Sequence, residues 1–313
     1  MTPTAERRQG NGIPMLDTGH ITNKLLDVPY AALSPAQKLD IYWPADADAP
    51  YPVVINIHGG AFMVGDKGDV QLTPVLEALD RGYAVVSINY RMSGEAIFPA
   101  LVQDTKAAIR WVRAHAAEHS FDPDRIAVWG GSAGGYLALM AGVSDGVADL
   151  DDPALGSPEQ SSAVQAVVAW FPPVNFLLMD THLAASGFEQ TPDSAHSGPR
   201  SPESLLLGAP ITEIPDVVRK ANPETYIHTD VPPFFIQHGT ADNTVPYQQS
   251  LNFACKLAAV AGDDRITYEL LLNARHGHET RAFGTPENVR KVLDFLDAAL
   301  VAWSSDEGRL QSQ

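Results

Sequence analysis

One cysteine, Cys255, stands in 313 residues, so no intrachain disulfide can form. It lies in the helical pattern Leu251–Leu257 and reads as a small buried apolar residue. Basic residues are scarce: 21 Lys and Arg face 38 Asp and Glu, a net charge of −17 at pH 7. A surface of that sign repels phosphate backbones and anionic headgroups, so neither nucleic acid nor a membrane surface is an expected partner. No apolar run approaches the roughly 20 residues that cross a bilayer. Residues 1–10 lack the apolar stretch of a secretory leader, and a cytoplasmic protein is the expectation. Metal-type Cys/His spacings are missing, as is a glycine-rich loop leading to a lysine. Neither a metal nor any other cofactor is expected.

What remains is a chain for a large core, 45% hydrophobic and 19% charged. Residues 1–38 are polar and punctuated by Gly and Pro, and read as an N-terminal arm. A single α/β domain is expected over 39–303, with a C-terminal tail at 304–313. Lys38–Trp43 alternates and predicts the first strand. Apolar runs at Tyr51–Ile57, Ile126–Trp129 and Ala163–Phe171 predict buried strands, and Tyr83–Tyr90, Pro233–Gln237 and Ile266–Leu272 are read as further strands. Between them, helical patterns fall at Gln71–Arg81, Ala100–His119, the segment ending near Gly142, and Tyr247–Ala261, and a closing helix begins at Thr285. Strand and helix alternate, so the sheet should be mostly parallel with helices on both faces. The stretch 174–230 breaks this rhythm and is expected to form a lid or cap insertion. Ser201–Leu207 opens with a capping signal and predicts a short helix inside it.

In such sheets ligands bind beyond the carboxyl ends of the strands, and the chemically suggestive residues fall there. Gly130-Gly-Ser-Ala-Gly134 fits G-x-S-x-G between a strand and a helix, a turn that leaves the Ser132 hydroxyl standing clear. A serine needs a base in reach, and the base needs an orienting carboxylate. Asp242 follows the strand ending at Gln237. His276 follows the strand ending at Leu272, with His278 two residues on as the rival base. The order Ser132, Asp242, His276 is the α/β-hydrolase order.

These motifs, together with His58-Gly59-Gly60, resemble the α/β-hydrolase esterase/lipase family over residues 38 to 303. The resemblance is to its carbohydrate (acetylxylan and feruloyl) esterase-like and kynurenine formamidase-like branch. It implies Ser132 as nucleophile, Asp242 as orienting acid and His276 as base. It also implies an oxyanion hole from the backbone N–H groups of Gly60, Ala61 and Ala133, with Gly59 as an alternative donor. Preorganised donors of this kind are worth about 3–4 kcal/mol each. Lipase-type members usually carry His-Gly-Gly-Gly and Gly-Asp-Ser-Ala-Gly. Here Ala61 takes the third glycine place and Gly131 precedes the serine, which points away from that group.

Other groups read as structural. His58 should hold the oxyanion loop, His238 should pack, and Asp104 should pair with Arg91. Trp170 and Phe171 fit either the core or a pocket wall. The expected function is a serine carboxylesterase for short-chain acyl or aromatic esters, with a small-molecule ester as its partner. An amide hydrolase with the same triad and a non-catalytic binder on the same fold are the alternatives.

Overall fold

The computed structural model of the protein describes residues 12–277 and 282–310, with backbone alone beyond residue 300. Its strands are β1 (Lys24–Pro29), β2 (Lys38–Tyr42), β3 (Tyr51–Ile57), β4 (Ala84–Ile88), β5 (Phe121–Gly131), β6 (Ala166–Trp170), β7 (Phe234–Gly239) and β8 (Ile266–Leu271). They form one sheet in the order β1-β2-β4-β3-β5-β6-β7-β8. Only β1/β2 and β2/β4 pair antiparallel; β4 through β8 run parallel.

The apolar runs are continuous because both faces of the central strands are covered. Successive side chains of a strand point to opposite faces. Val53, Ile55, Ile57, Ala84, Val86, Ile88, Ile126 and Val128 join one core with the helices Ala100–Ala114, Ala133–Val143 and Gln248–Ala261. Val54, Val85, Ala127 and Trp129 face a second core with Val289, Leu293 and Leu296 of the helix Pro286–Leu310. Each fully buried aliphatic side chain contributes about 1.5–3 kcal/mol. This two-sided burial places the sheet's carboxyl edge, and the loops after it, on a rigid support.

The structure departs from the sequence reading in several places. The expected arm at 1–38 carries edge strand β1, whose exposed Leu25 and Leu26 and register shift between Leu25 and Val28 hide the alternation. The helix expected at Gln71–Arg81 is a chain of short turns, Val70–Leu72, Thr73–Leu76 and Glu77–Arg81, with Pro74 removing a backbone donor. Ala100–His119 breaks at His115 into Ala100–Ala114 and Ala116–His119. The closing helix runs on to Leu310, past the expected boundary at 303. Cys255 is exposed, on the outward face of its helix.

The inserted stretch 174–230 is built into the body of the protein. It carries the helices Met179–Ala185, Pro202–Leu207 and Pro215–Ala221. Phe176, Leu206, Leu207, Ile211, Val218 and Ala221 are buried in the larger core. The Tyr136 hydroxyl donates to the Ala221 carbonyl at 2.7 Å. Asp104 is fully buried and pairs with Arg91 at 2.8 Å, as expected. Among the described residues no helix is long and apolar enough to cross a membrane.

Candidate active site

β5 ends at Gly131 and a helix begins at Ala133, so the chain must reverse at Ser132. Ser132 takes φ 56° and ψ −123°, a strained conformation for a residue with a Cβ. Its neighbours hold it there. The Ser132 N–H donates to the Trp170 carbonyl at 2.9 Å, and its own carbonyl accepts from Tyr136 N–H at 2.9 Å. The turn fits only because glycines flank it. A Cβ on Gly134 would stand 2.0 Å from the Ile57 carbonyl oxygen and 2.8 Å from that of His58. Those are main-chain atoms that cannot swing aside. Gly134→Ala is therefore expected to push the elbow away from the loop after β3. The predicted cost is about 3 kcal/mol of stability or more, seen as a lowered thermal midpoint together with a large loss of turnover.

His276 lies beyond β8 in the loop that turns at Asn273, φ 59°. Its Nε2 is 2.9 Å from Ser132 Oγ, and its Nδ1 is 2.7 Å from Asp242 Oδ2. The acceptor-only carboxylate puts the ring proton on Nδ1 and leaves the Nε2 lone pair for the serine hydroxyl. His278 falls outside the described residues. Asp242 is buried in the loop after β7, where its Oδ1 accepts from the N–H groups of Thr244 and Val245, both at 2.9 Å. His238, at the end of β7, lies 3.4 Å from Oδ2. Burial alone would push the Asp242 carboxyl up, but His238 and His276 outweigh it and hold the group well below the usual carboxylate range. His238 itself is fully buried. Its Nε2–H donates to the Val245 carbonyl at 2.8 Å and its Nδ1 accepts from Ser250 Oγ at 2.6 Å, so it frames the acid loop as packing.

Across from the histidine, the loop after β3 turns through three successive left-handed residues: Gly60 at φ 124°, Ala61 at 53° and Phe62 at 64°. Ala61 adopts a glycine-like angle despite its Cβ. A Cβ on Gly60 would meet the Val64 carbonyl oxygen at 2.0 Å. The Gly59 N–H already donates to Gln71 Oε1 at 2.9 Å, and Asp69 fixes that amide by accepting from Gln71 Nε2 at 2.9 Å. Gly59 is thus spoken for, whereas the N–H groups of Gly60 and Ala61 meet no acceptor among the described residues. Ala133 sits in the first turn of its helix, where N–H groups lack intrahelical partners. His58 steadies this loop: its Nδ1 is 2.8 Å from the Gly59 carbonyl oxygen and its ring stacks on Tyr90 at 4.6 Å.

A cavity of about 590 Å³ opens over Ser132. Gly60, Ala61, Val64, Val70 and Gln71 line one side, and Phe171, Thr244, His276 and Gly277 the other. Sequence patterning left Trp170 and Phe171 undivided, and the structure separates them. Both are fully buried in the second core, Trp170 against Trp129, but Phe171 alone also bounds the cavity, with its ring 4.7 Å from that of His276. No wall residue named here comes from the insertion at 174–230. Ile13 supplies the remaining wall, a residue that nothing in the local pattern marks. Its segment is laid along the loop before Gln71: Leu16 N–H donates to the Gly68 carbonyl at 2.8 Å, and Val70 N–H to the Pro14 carbonyl at 2.9 Å. Among the described residues no group of three His, Cys, Asp or Glu side chains is placed to hold a metal.

Comparison with known proteins finds the chain similar to esterases. The family model described as BD-FAE matches residues 39–257. The esterase LipQ of Mycobacterium tuberculosis is 33% identical over 276 residues, which is 86% of this chain and 61% of that protein; the chain thus spans about three fifths of that relative. Among solved structures, a truncated carbohydrate esterase from gut microbiota is similar with a TM-score of 0.76 and 33% identity, covering 92% of this chain and 99% of that one. A thermophilic esterase of Thermogutta terrifontis, solved with propionate bound, gives a TM-score of 0.66 and 28% identity over 90% of this chain and 95% of that one.

Proposed function

Because the chain belongs to the BD-FAE family of α/β-hydrolase esterases, we propose that it is a serine carboxylesterase that cleaves short-chain acyl or aromatic esters through an acyl-enzyme. The observation that carries this reading is the unbroken relay from Asp242 through His276 to Ser132, at 2.7 and 2.9 Å, beside a cavity. Ser132 Oγ attacks the ester carbonyl carbon while His276 Nε2 takes its proton. The carbonyl oxygen becomes an oxyanion that accepts from the N–H groups of Gly60, Ala61 and Ala133. Collapse of the tetrahedral intermediate expels the alcohol, to which His276 returns the proton, and the acyl group stays on Ser132. Water then enters, loses a proton to His276, and releases the acid by the same steps in reverse order. Asp242 stays ionised throughout and holds His276 in the tautomer that can accept.

The cavity supports an acyl group of modest size. Ile13, Val64, Val70 and Phe171 give it apolar walls. The Thermogutta esterase was solved with propionate and with butyrate, and the gut relative acts as a carbohydrate esterase. Acetyl and feruloyl esters, including those on sugars, fit that company. The test is a panel of p-nitrophenyl esters, feruloyl esters and acetylated sugars beside the matching anilides, with a serine-reactive phosphonate as active-site label. Ester turnover well above anilide turnover, and a phosphonate adduct on Ser132, are expected. Faster anilide cleavage would make the protein an amidase, and absence of both turnover and adduct would leave a binder.

A further inference from the structure

His196, on the inserted stretch, makes two side-chain contacts that its neutral ring cannot both satisfy. Its Nδ1 is 2.8 Å from Glu203 Oε1, and its Nε2 is 2.9 Å from the Thr244 carbonyl oxygen. A carbonyl oxygen only accepts, so Nε2 carries a hydrogen. A carboxylate only accepts, so Nδ1 needs a second hydrogen. The pair of His196 and Glu203 therefore holds one more proton than a neutral imidazole beside a carboxylate. The site is dry enough for this to matter. The side chains of His196 and Glu203 are 12% and 4% exposed, and Glu203 Oε2 is buried with no partner among the described residues. Asp180 is the other charged group facing the ring's element. Its carboxylate accepts from the backbone N–H groups of His196 and Ser197, both at 2.8 Å, and fixes where the ring sits.

The far end of this contact is the acid loop. Thr244 lines the cavity, and its N–H donates to Asp242 Oδ1. We propose that His196 is a positioning residue for Asp242: as an imidazolium it ties the inserted stretch to the Thr244 carbonyl and so holds the loop in which Asp242 orients His276. The inference rests on the triad reading above. Loss of one proton from the pair to solvent leaves a ring lone pair facing an oxygen, either at Glu203 or at Thr244. One of the two ties then turns repulsive and the loop slackens. Burial works against the charge, but the Glu203 carboxylate and the Thr244 carbonyl outweigh it and hold the imidazole above its usual value. A raised folded value means that the stabilisation is complete below the unfolded value near 6.5 and is lost as pH rises through the folded one.

The experiment measures kcat and KM for p-nitrophenyl acetate, and the thermal midpoint, from pH 5 to 10 for the wild type, Glu203→Gln and His196→Gln. In the wild type kcat should fall on the alkaline side with KM nearly constant. Glu203→Gln removes the charge that retains the proton, so its alkaline limb should move toward neutral by about one pH unit. His196→Gln offers a single non-titrating donor group. Its kcat should be about tenfold lower at neutral pH, and its midpoint should lack the alkaline decline that the wild type shows. A merely structural role would lower kcat without moving the limb in Glu203→Gln. Alkaline limbs that coincide in the wild type and Glu203→Gln, or equal midpoint declines in the wild type and His196→Gln, overturn the proposal. A wild type that turns over no ester defeats the triad reading itself and with it this role.

Discussion

Replacing Ser132 with alanine is expected to lower kcat/KM for p-nitrophenyl acetate by about 10⁵-fold or more. Without Oγ there is no atom to carry the acyl group, and only direct attack by water on a carbonyl held by the Gly60, Ala61 and Ala133 N–H groups remains. The variant should fold. The two hydrogen bonds that fix the elbow run through the main chain of Ser132, to Trp170 and from Tyr136, and both survive the change. The φ of 56° is no worse for alanine than for serine. A thermal midpoint within a few degrees of the wild type, together with the lost turnover, is the expected pair of results. Adding His276→Ala to Ser132→Ala should take away little more, because the two residues act as a unit. Retention of more than about a hundredth of the wild-type rate in Ser132→Ala would remove the serine from the mechanism.

Asp242→Asn should cost about 10³- to 10⁴-fold in kcat while disturbing the fold little. The asparagine oxygen can take the place of Oδ1 and keep the N–H groups of Thr244 and Val245. Its amide NH₂ then faces His276 Nδ1 and donates to it. That forces the ring proton onto Nε2, where it points at Ser132 Oγ and blocks proton removal. The loss is one of tautomer rather than of shape, so kcat should fall far more than KM rises. Stability adds a second readout with a definite sign. The folded-state value of Asp242 is depressed, so its contribution is present above the unfolded value of about 3.9 and lost as pH falls through the lower folded one. Acidification below about pH 4 should therefore lower the wild-type midpoint more steeply than that of Asp242→Asn. Equal slopes would mean that the carboxylate gains nothing from its two histidines.

How far the sequence foretold this site depends on how local each signal was. Gly130 to Gly134 could be read because the steric need for glycine and the strand-to-helix switch lie within a few residues. Asp242 and His276 could be read because each follows its own apolar run at the sheet's carboxyl edge. His276 could be preferred to His278 because it precedes a glycine and sits nearer the strand end, and its Nε2 lies 2.9 Å from Ser132 Oγ, while His278 falls outside the described residues. The oxyanion donors were narrowed by Gln71, which occupies the Gly59 N–H from twelve residues away. Ile13 and His196 left no trace in the patterning, because each works on a segment distant in sequence, a wall in one case and the acid loop in the other. Strand β1 and exposed Cys255 escaped for the opposite reason: periodicity reports burial on one face, and both lie at the solvent boundary. The insertion was expected to cover the site, because a long irregular stretch advertises length and not direction. Phe176, Leu206 and Ile211 bury part of it in the core.

Seven non-glycine residues with positive φ are found among those described; five of them, Ala61, Phe62, Ser132, Phe171 and Asn273, fall within a few residues after the ends of β3, β5, β6 and β8, and three of these, Ala61, Ser132 and Phe171, line the cavity. Each holds a conformation worth of order 1 kcal/mol that the chain would shed on unfolding. The rim of the cavity thus works like a set of cocked springs, kept loaded by the two cores beneath it. Selection for heat tolerance alone would relax these positions first, and would do so by moving the backbone donors and the serine out of register with one another. A more durable version of this protein is therefore better sought far from the sheet's carboxyl edge, at surfaces such as the outer face of the closing helix.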